Sequence, residues 1–134
     1  MNSVTNLSPF IFRTLRYMEW IFAAIHFVFS TAGYTHSRGL EHSLKTLALL
    51  GIFKEGLMNI QKHAYASCVC LQGHATLEGI ILKLQDDGIG FDPKLPHSGF
   101  GLKGMAERVQ MLGGELKVKS TPGQGTHIQV TLPL

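Results

Sequence analysis

The sequence predicts an α/β two-layer sandwich, with one layer of β-sheet and one layer of helices. Apolar residues recur at helical spacing over 40–64 and again over 102–112. Each of these stretches is followed by two segments of alternating apolar residues, within 67–85 and 115–134. A chain of 134 residues can bury one core of its own, so a single domain over 1–134 is expected.

Composition and charge narrow the class of protein. Hydrophobic residues make up 45% of the chain and charged residues 16%, which is typical of globular proteins. The formal net charge is +3, and the lysines and arginines are scattered without a basic stripe, so no nucleic-acid partner is expected. Cys68 and Cys70 are too far apart in an extended segment for an unstrained disulfide. They are interpreted as reduced structural thiols of a cytosolic protein.

The first 39 residues carry weaker signals than the rest. Apolar spacing predicts a helix from Pro9 to about Ala23, and alternation over Ile25–Phe29 predicts a short strand. The most apolar run, Trp20–Phe29, has roughly half the length needed to span a bilayer, so it is interpreted as buried core. A polar connection rich in turn-forming residues follows over 30–39.

One long, mostly buried helix is predicted over Leu40–Ala64. Gly51 and Gly56 are its expected weak points, because glycine is a poor helix former. A polar stripe runs beside the apolar face, at positions i, i+4, i+7 and i+8: Glu55, Asn59, Lys62 and His63. The stripe has two interpretations. Its members could be solvated or structural, or the amide oxygen of Asn59 could serve as a ligand for Mg²⁺.

The second half of the chain alternates between strands and one helix. Two strands are predicted at about Ser67–Gln72 and Leu77–Gln85, around a Gly-His turn. A glycine-rich loop over 86–101 leads to a helix over Leu102–Leu112, which Gly113 ends. The last 20 residues form two alternating strands joined by Thr-Pro-Gly-Gln-Gly, which predicts a hairpin.

The acidic stretch DDGIGFD, residues 86–92, resembles a calcium loop only superficially. An EF-hand loop that began at Asp86 would need oxygen ligands at its third and fifth positions and a glutamate at its twelfth. Those positions hold Gly88, Gly90 and His97. A calcium site of this type is therefore excluded.

The stretch GFGLKG, residues 99–104, matches the glycine pattern of dinucleotide-binding proteins. That pattern should join a strand directly to its helix and be followed by an acid near residue 120, and neither condition holds here. Glycines at a helix start still leave backbone N–H groups open to an anion. Lys62, Lys103 and a metal ion could complete a triphosphate site, while a plain surface loop remains the alternative.

Four motifs in register resemble those of sensor histidine kinases. Glu55-x-x-x-Asn59-x-x-Lys62-His63-Ala64 resembles their N box, and Asp87-Gly88-Ile89-Gly90-Phe91 resembles their G1 box. Residues 99–105, GFGLKGM, resemble the G2 box, and STPGQGTHIQVTLPL is similar to the closing hairpin, with Gly125 and Thr126 at its Gly-Thr. The resemblance covers about 40–134, and its details are similar to the subgroup of nitrate and lipid-fluidity sensors. Phe100 stands where the family commonly has leucine.

The resemblance implies the Bergerat (GHKL) ATP-binding fold, a mixed sheet packed on about three helices, with ATP and Mg²⁺ as cofactors. Asp87 would accept a hydrogen bond from the adenine amino group, Asn59 would coordinate Mg²⁺, and Glu55 would polarise the acceptor. Gly90 would leave room for the base, and Thr126 would support the adenine end. The residues implied near the phosphates and in a short lid are Lys62, His63, Gly99, Gly101, Leu102, Lys103, Gly104 and Met105.

The resemblance also implies partners. Family members carry a helical dimerisation segment whose phosphoacceptor histidine is usually followed by an acid, and none of the seven histidines here has that setting. The expectation is therefore a cytoplasmic catalytic domain of a longer, homodimeric sensor, whether or not the parent is anchored in a membrane. It would phosphorylate a histidine on a separate dimerisation segment, for relay to the receiver domain of a response regulator. Two alternatives stay open: a serine kinase of the anti-sigma-factor type, and a non-catalytic nucleotide-binding module.

Overall fold

The predicted sandwich of helices on a sheet is confirmed. A computed structural model describes residues 5–13, 40–75, 79–96 and 101–133. One sheet has the strand order β1-β2-β3-β5-β4, formed by β1 (Thr5–Arg13), β2 (Cys68–Ala75), β3 (Gly79–Asp86), β4 (Glu115–Ser120) and β5 (Thr126–Pro133). The helical layer contains α1 (Leu40–Asn59), continued by a π-helical turn (Ile60–Ala64), and α2 (Leu102–Met111).

The described strands differ in one respect from the mixed sheet that the resemblance implied. All four pairings between them are antiparallel. Residues 14–23, where a third helix is predicted, lie outside the described residues. The predicted closing hairpin is confirmed, because β4 and β5 pair from Glu115↔Thr131 to Ser120↔Thr126.

The core lies between the helices and one face of the sheet. Alternate residues of β3 are buried, as expected for a strand with one face against helices. The inward residues of β2, β3 and β5 meet α1 and α2, and the largest fully buried side chains are Leu71, Leu82, Met105, Leu132, Val69 and Val109. This packing holds α1 across the strands whose ends form the site described below.

The predicted long helix over Leu40–Ala64 is confirmed, with its last turn widened into the π form. Gly51 and Gly56 do not interrupt it. The helix ends at Tyr65, whose backbone adopts the left-handed conformation with φ of 50°. Packing of the apolar face on the sheet outweighs the low helix propensity of the two glycines.

The predicted helix from Pro9 to about Ala23 is wrong over residues 9–13, which belong to β1. This strand pairs with β2, for example Ile11 with Cys70, and a bulge between Leu7 and Phe10 accommodates Pro9. Proline cannot donate to a ladder, so it is found at bulges and edges of sheets. Backbone pairing of this segment with β2 has therefore outweighed the helical spacing of its apolar residues. The predicted strand Ile25–Phe29 and the apolar run 20–29 lie outside the described residues.

The predicted Gly-His turn is also wrong. Gly73 and His74 lie within β2 and pair with Leu82 and Ile81 of β3. Cys68 and Cys70 are free thiols on the same strand. In the part of the chain that the structure describes, no helix is long and apolar enough to cross a membrane.

Candidate functional site

A cavity of about 560 Å³, counted to its open mouth, lies between the end of α1 and the paired ends of β3 and β5. Its lining residues come from α1, β3 and the loop after it, α2 and β5: Gly56, Asn59, Ile60, His63, Ala64, Leu84, Asp86, Ile89, Gly90, Phe91, Leu102, Thr126 and Ile128.

Most of this lining is apolar, and a few polar side chains interrupt it. Asn59 and His63 lie one turn apart at the end of α1, and Asp86 and Thr126 lie on the sheet. An apolar pocket with a few fixed polar groups suits a flat, partly apolar ligand that needs orientation. The lining therefore favours a heterocyclic base with polar groups at its edge.

The floor of the cavity consists of two cross-strand pairs. Leu84 faces Ile128, and Asp86 faces Thr126. Gly56 lets α1 approach this floor closely, because a Cβ atom at that position would lie 2.7 Å from Leu84 Cδ2. The glycine that looked like a weak point of the helix therefore sets the distance between helix and sheet.

Of the residues that the structure describes, Asp86 is the buried charged one, with 5% of its surface exposed. It continues the inward row of β3 after Leu82 and Leu84. Burial raises the pKa of its carboxyl group, and hydrogen bonds from the backbone N–H groups of Gly88 and Thr126 oppose that rise. The Gly88 nitrogen lies 2.8 Å from Asp86 Oδ1. A carboxylate in this setting is held in one orientation, with its acceptor oxygens beside the apolar cavity.

Asp87 has a different environment, which corrects the role that the sequence gave it. Its Oδ1 atom accepts the backbone N–H groups of Ser67 and Cys68, both at 2.8 Å. The residue is exposed and does not line the cavity. Asp87 therefore ties the end of β3 to the start of β2, and the carboxylate at the cavity belongs to Asp86.

The loop after β3 is held against both the end of α1 and the β4–β5 hairpin. The Ile89 nitrogen lies 2.8 Å from the Ala64 carbonyl oxygen, and the Gly123 nitrogen lies 2.6 Å from the Ile89 carbonyl oxygen. Gly90 has a φ of 59°, and a Cβ atom there would collide with the Thr121 carbonyl oxygen. Glycine is required at this position for both reasons.

Five of the residues predicted from the sequence come together at the cavity: Asn59, His63, Gly90, Leu102 and Thr126. Glu55 lies one turn before Asn59 and is half-buried, outside the lining. Its carboxylate rests against the backbone of Gly101, the residue before α2, where a Cβ atom would lie 2.5 Å from Oε1. Glu55 therefore lies beside the start of the second helix.

The other predicted residues are not at the cavity. Lys62 and Lys103 are exposed, and Lys103 makes a long ion pair of 4.0 Å with Glu107. Gly104 lies on α2 and faces Arg108. Met105 is fully buried at 0% exposure, so a direct contact of its side chain with a nucleotide does not fit this structure. Gly99 lies outside the described residues.

Sequence reasoning missed several lining residues: Gly56, Ile60, Ala64, Leu84, Asp86, Ile89, Phe91 and Ile128. For the lining residues on β3, the alternation of side chains along a strand could have identified them from the sequence. Positions 82, 84 and 86 share one face of an extended strand, so Asp86 follows the inward leucines while Asp87 does not.

A magnesium ion fits the donor set in a limited way. In the described ranges no group of three or more His, Cys, Asp or Glu side chains could hold a metal ion. Asn59 offers an amide oxygen at the cavity. Mg²⁺ commonly binds through one or two protein oxygens together with water and substrate phosphates. Asn59 is therefore the residue that would hold it, next to a bound phosphate group.

Comparison with known proteins identifies the family of this chain. The sequence model described as "Histidine kinase-, DNA gyrase B-, and HSP90-like ATPase" matches residues 45–134, which include every lining residue of the cavity. The chain belongs to this family. As a member of the family it contains an ATP-binding domain.

Relatives of this ATPase domain include signal-transduction kinases. The chain is 47% identical over 87 residues to the signal transduction histidine-protein kinase/phosphatase UhpB of Salmonella typhimurium, which spans 65% of this chain and 17% of that protein. It is 30% identical over 135 residues to DegS of Bacillus subtilis, a protein of the same description, which spans 98% of this chain and 34% of that protein. The chain thus spans about a third or less of the length of these relatives, and the nitrate- and lipid-sensor subgroup stays a prediction.

Solved structures of the same kind share the fold. The blue-light activated histidine kinase of Erythrobacter litoralis matches 66% of this chain and 30% of its own, with a TM-score of 0.57 and 28% identity. The ATP-binding domain of PrrB from Mycobacterium tuberculosis matches 66% of this chain and 68% of its own, with a TM-score of 0.54 and 23% identity. The extension of the domain to residue 1 stays a prediction.

Proposed function

We propose that this chain is the ATP-binding catalytic domain of a two-component sensor histidine kinase. The observation that carries the proposal is the buried carboxylate of Asp86 at the floor of an apolar cavity. Family membership supports ATP as the ligand, and the names of the relatives support a histidine as the acceptor.

In this proposal Asp86, and not Asp87, recognises the base. Leu84, Ile128 and Ile60 provide apolar surface for a purine ring, and the Asp86 carboxylate accepts a hydrogen bond from the adenine amino group. A carboxylate at this position disfavours guanine, whose 6-oxo group would bring an acceptor against an acceptor. Gly90 keeps the wall beside the base free of a side chain.

The phosphates lie toward the end of α1 in this proposal. Asn59 and His63 line that side of the cavity, and Lys62 and Lys103 are next to lining residues in the chain. Asn59 would hold Mg²⁺, which neutralises charge on the phosphates. Gly101, Leu102 and Gly104 place the start of α2 beside the triphosphate, where its N–H groups favour an anion.

Transfer of the γ-phosphoryl group requires an acceptor from a partner segment. The bond from phosphorus to the bridging oxygen of ADP breaks, and a bond from phosphorus to an imidazole nitrogen of the acceptor histidine forms. Catalysis of such a transfer is mainly positioning and charge stabilisation. Glu55 would polarise the acceptor imidazole by accepting a hydrogen bond from its second nitrogen.

The partners proposed are a histidine-bearing dimerisation segment of the parent protein and the receiver domain of a response regulator. The parent would be a homodimer with this domain in the cytoplasm. Support comes from the relatives, which are named as sensors or signal-transduction kinases.

Two measurements test the proposal. ATP is titrated into the chain with and without Mg²⁺ in a calorimeter, and binding that Mg²⁺ strengthens is expected. The chain joined to a dimerisation segment is then incubated with radiolabelled ATP, and the phosphoprotein is treated with acid. Loss of the label in acid indicates phosphate on nitrogen and supports a histidine acceptor. An acid-stable label would instead support the serine-kinase alternative, and failure to bind ATP would contradict the whole proposal.

A further inference from the structure

Ser120, the last residue of β4, lies behind the cavity wall and joins three parts of it. Its hydroxyl group accepts the N–H of Phe91 at 2.8 Å and donates to the Gly125 carbonyl oxygen at 3.0 Å. Its oxygen also lies 2.9 Å from Thr126 Oγ1. Phe91 and Thr126 line the cavity, and Ser120 does not. The hydroxyl group therefore holds two lining residues from behind.

The direction of the bond between the two hydroxyl groups follows from counting protons. A serine hydroxyl has one proton and can accept two hydrogen bonds. The carbonyl oxygen of Gly125 can only accept, so it takes the proton of Ser120, and the Phe91 N–H uses one acceptor position. The remaining bond must then run from the Thr126 hydroxyl to Ser120. The proton of Thr126 is thereby directed away, and its oxygen remains an acceptor.

Thr126 and Asp86 face each other across β5 and β3, and both line the cavity. An ionised carboxylate can only accept hydrogen bonds. With the Thr126 proton engaged by Ser120, this end of the cavity presents two acceptors side by side. A 6-amino group carries two N–H donors and matches such a pair, whereas a 6-oxo group carries none.

We propose that Ser120 is a positioning residue for base selection. It fixes the Thr126 hydroxyl group as a hydrogen-bond acceptor and so strengthens the binding of a 6-aminopurine. The inference rests on the proposed binding of ATP and adds to it a residue outside the cavity. It predicts that the effect of Ser120 depends on the amino group of the ligand.

The test measures the dissociation constants of two nucleotides by calorimetry. One is ATP, and the other is the triphosphate of purine riboside, which lacks the 6-amino group. Ser120→Ala is expected to weaken ATP binding by about 3- to 10-fold, the effect of one neutral hydrogen bond, and to leave the second ligand within about twofold. Ser120→Thr keeps the hydroxyl group, so this variant is expected to bind ATP as tightly as the unaltered chain does.

Two further variants make the test specific. Thr126→Val removes the acceptor itself, so it should show the same ligand dependence, and Ser120→Ala should add nothing in its presence. Ser67→Ala is the matched control, because Ser67 is an exposed serine whose backbone N–H, not its side chain, bonds Asp87. The control is expected to bind both nucleotides as the unaltered chain does.

The outcomes separate this inference from the proposed function. If Ser120→Ala weakens both nucleotides equally, the hydroxyl group has only a structural role and the inference is overturned, while ATP binding stands. If Thr126→Val and Ser120→Ala are additive for ATP, the link between them is overturned as well. If the unaltered chain binds neither nucleotide, the proposed function fails and this inference fails with it.

Discussion

The carboxylates of Asp86 and Asp87 are adjacent in the chain and bond to different parts of the molecule. Asp86 accepts the N–H of Gly88 within the buried floor of the cavity, while Asp87 accepts the N–H of Ser67 on the exposed side. A strand turns successive side chains to opposite faces, so only one of two neighbouring acids can serve the cavity. Each carboxylate can therefore be tested separately.

Asp86→Asn should weaken ATP binding more than tenfold, because the charged acceptor for the amino group is lost. Asp87→Asn changes the neighbouring acid in the same way and serves as its control. It should leave ATP binding within about threefold and lower the free energy of unfolding by about 1–2 kcal/mol, through weaker bonds to the start of β2. Calorimetry and urea unfolding provide the two readouts. If Asp87→Asn weakened ATP binding and Asp86→Asn did not, base recognition would be assigned to Asp87 instead.

Gly90→Ala should lower the free energy of unfolding by more than about 2 kcal/mol, because it adds a backbone collision to the strain of a positive φ. Gly123→Ala is the matched control, since Gly123 has a φ of 81° and a Cβ atom there would meet nothing within 4 Å. The control should cost only the conformational strain, about 1–2 kcal/mol. Equal losses in urea unfolding would show that the Thr121 carbonyl group can move aside.

His127 makes stability depend on pH. Burial lowers the pKa of its imidazole below the usual 6.5, and the nearby charges of Lys83 and Lys119 lower it further. The unfolded chain then binds a proton more readily than the folded chain, so the free energy of unfolding falls as the pH falls through 6.5. Urea unfolding from about pH 7.5 to about pH 5.5 should show a smaller loss in His127→Gln than in the unaltered chain. If both proteins lost the same free energy of unfolding over this pH range, His127 would not be the cause of the pH dependence.

Glu55→Gln should slow phosphoryl transfer at least about 100-fold in a protein joined to its dimerisation segment, as expected for a lost proton acceptor. ATP affinity should stay within about threefold, because Glu55 does not line the cavity. Glu107→Gln, which changes an exposed acid on α2, is the control for both measurements. A loss of ATP affinity without a change in transfer rate would place Glu55 in nucleotide binding instead.

The elements with strong periodicity could be predicted from the sequence. The helix over Leu40–Ala64 and the closing hairpin have regular apolar patterns, and the structure confirms both. Residues 9–13 show the limit of this reasoning, because their helical spacing is outweighed by pairing with β2. Pairing between strands distant in the sequence leaves no local pattern that could reveal it.

The site shows a second limit. Asn59, Gly90 and Thr126, which come from three different motifs, all line one cavity. The choice between Asp86 and Asp87 depended on where β3 ends. The strand predicted from the sequence ended at Gln85, one residue before the observed end at Asp86. Counting alternate positions from Leu84 would have selected Asp86.

The end of α1 is connected to the hairpin through a single residue of the loop. The Ala64 carbonyl group, which a helix end leaves without an intrahelical donor, accepts the N–H of Ile89, and the Ile89 carbonyl group accepts the N–H of Gly123. Displacement of Ile89 would therefore break both of these hydrogen bonds in the same event. We therefore expect local unfolding at this edge to be cooperative: in hydrogen exchange the amides of Ile89 and Gly123 should share one opening free energy, below that of global unfolding.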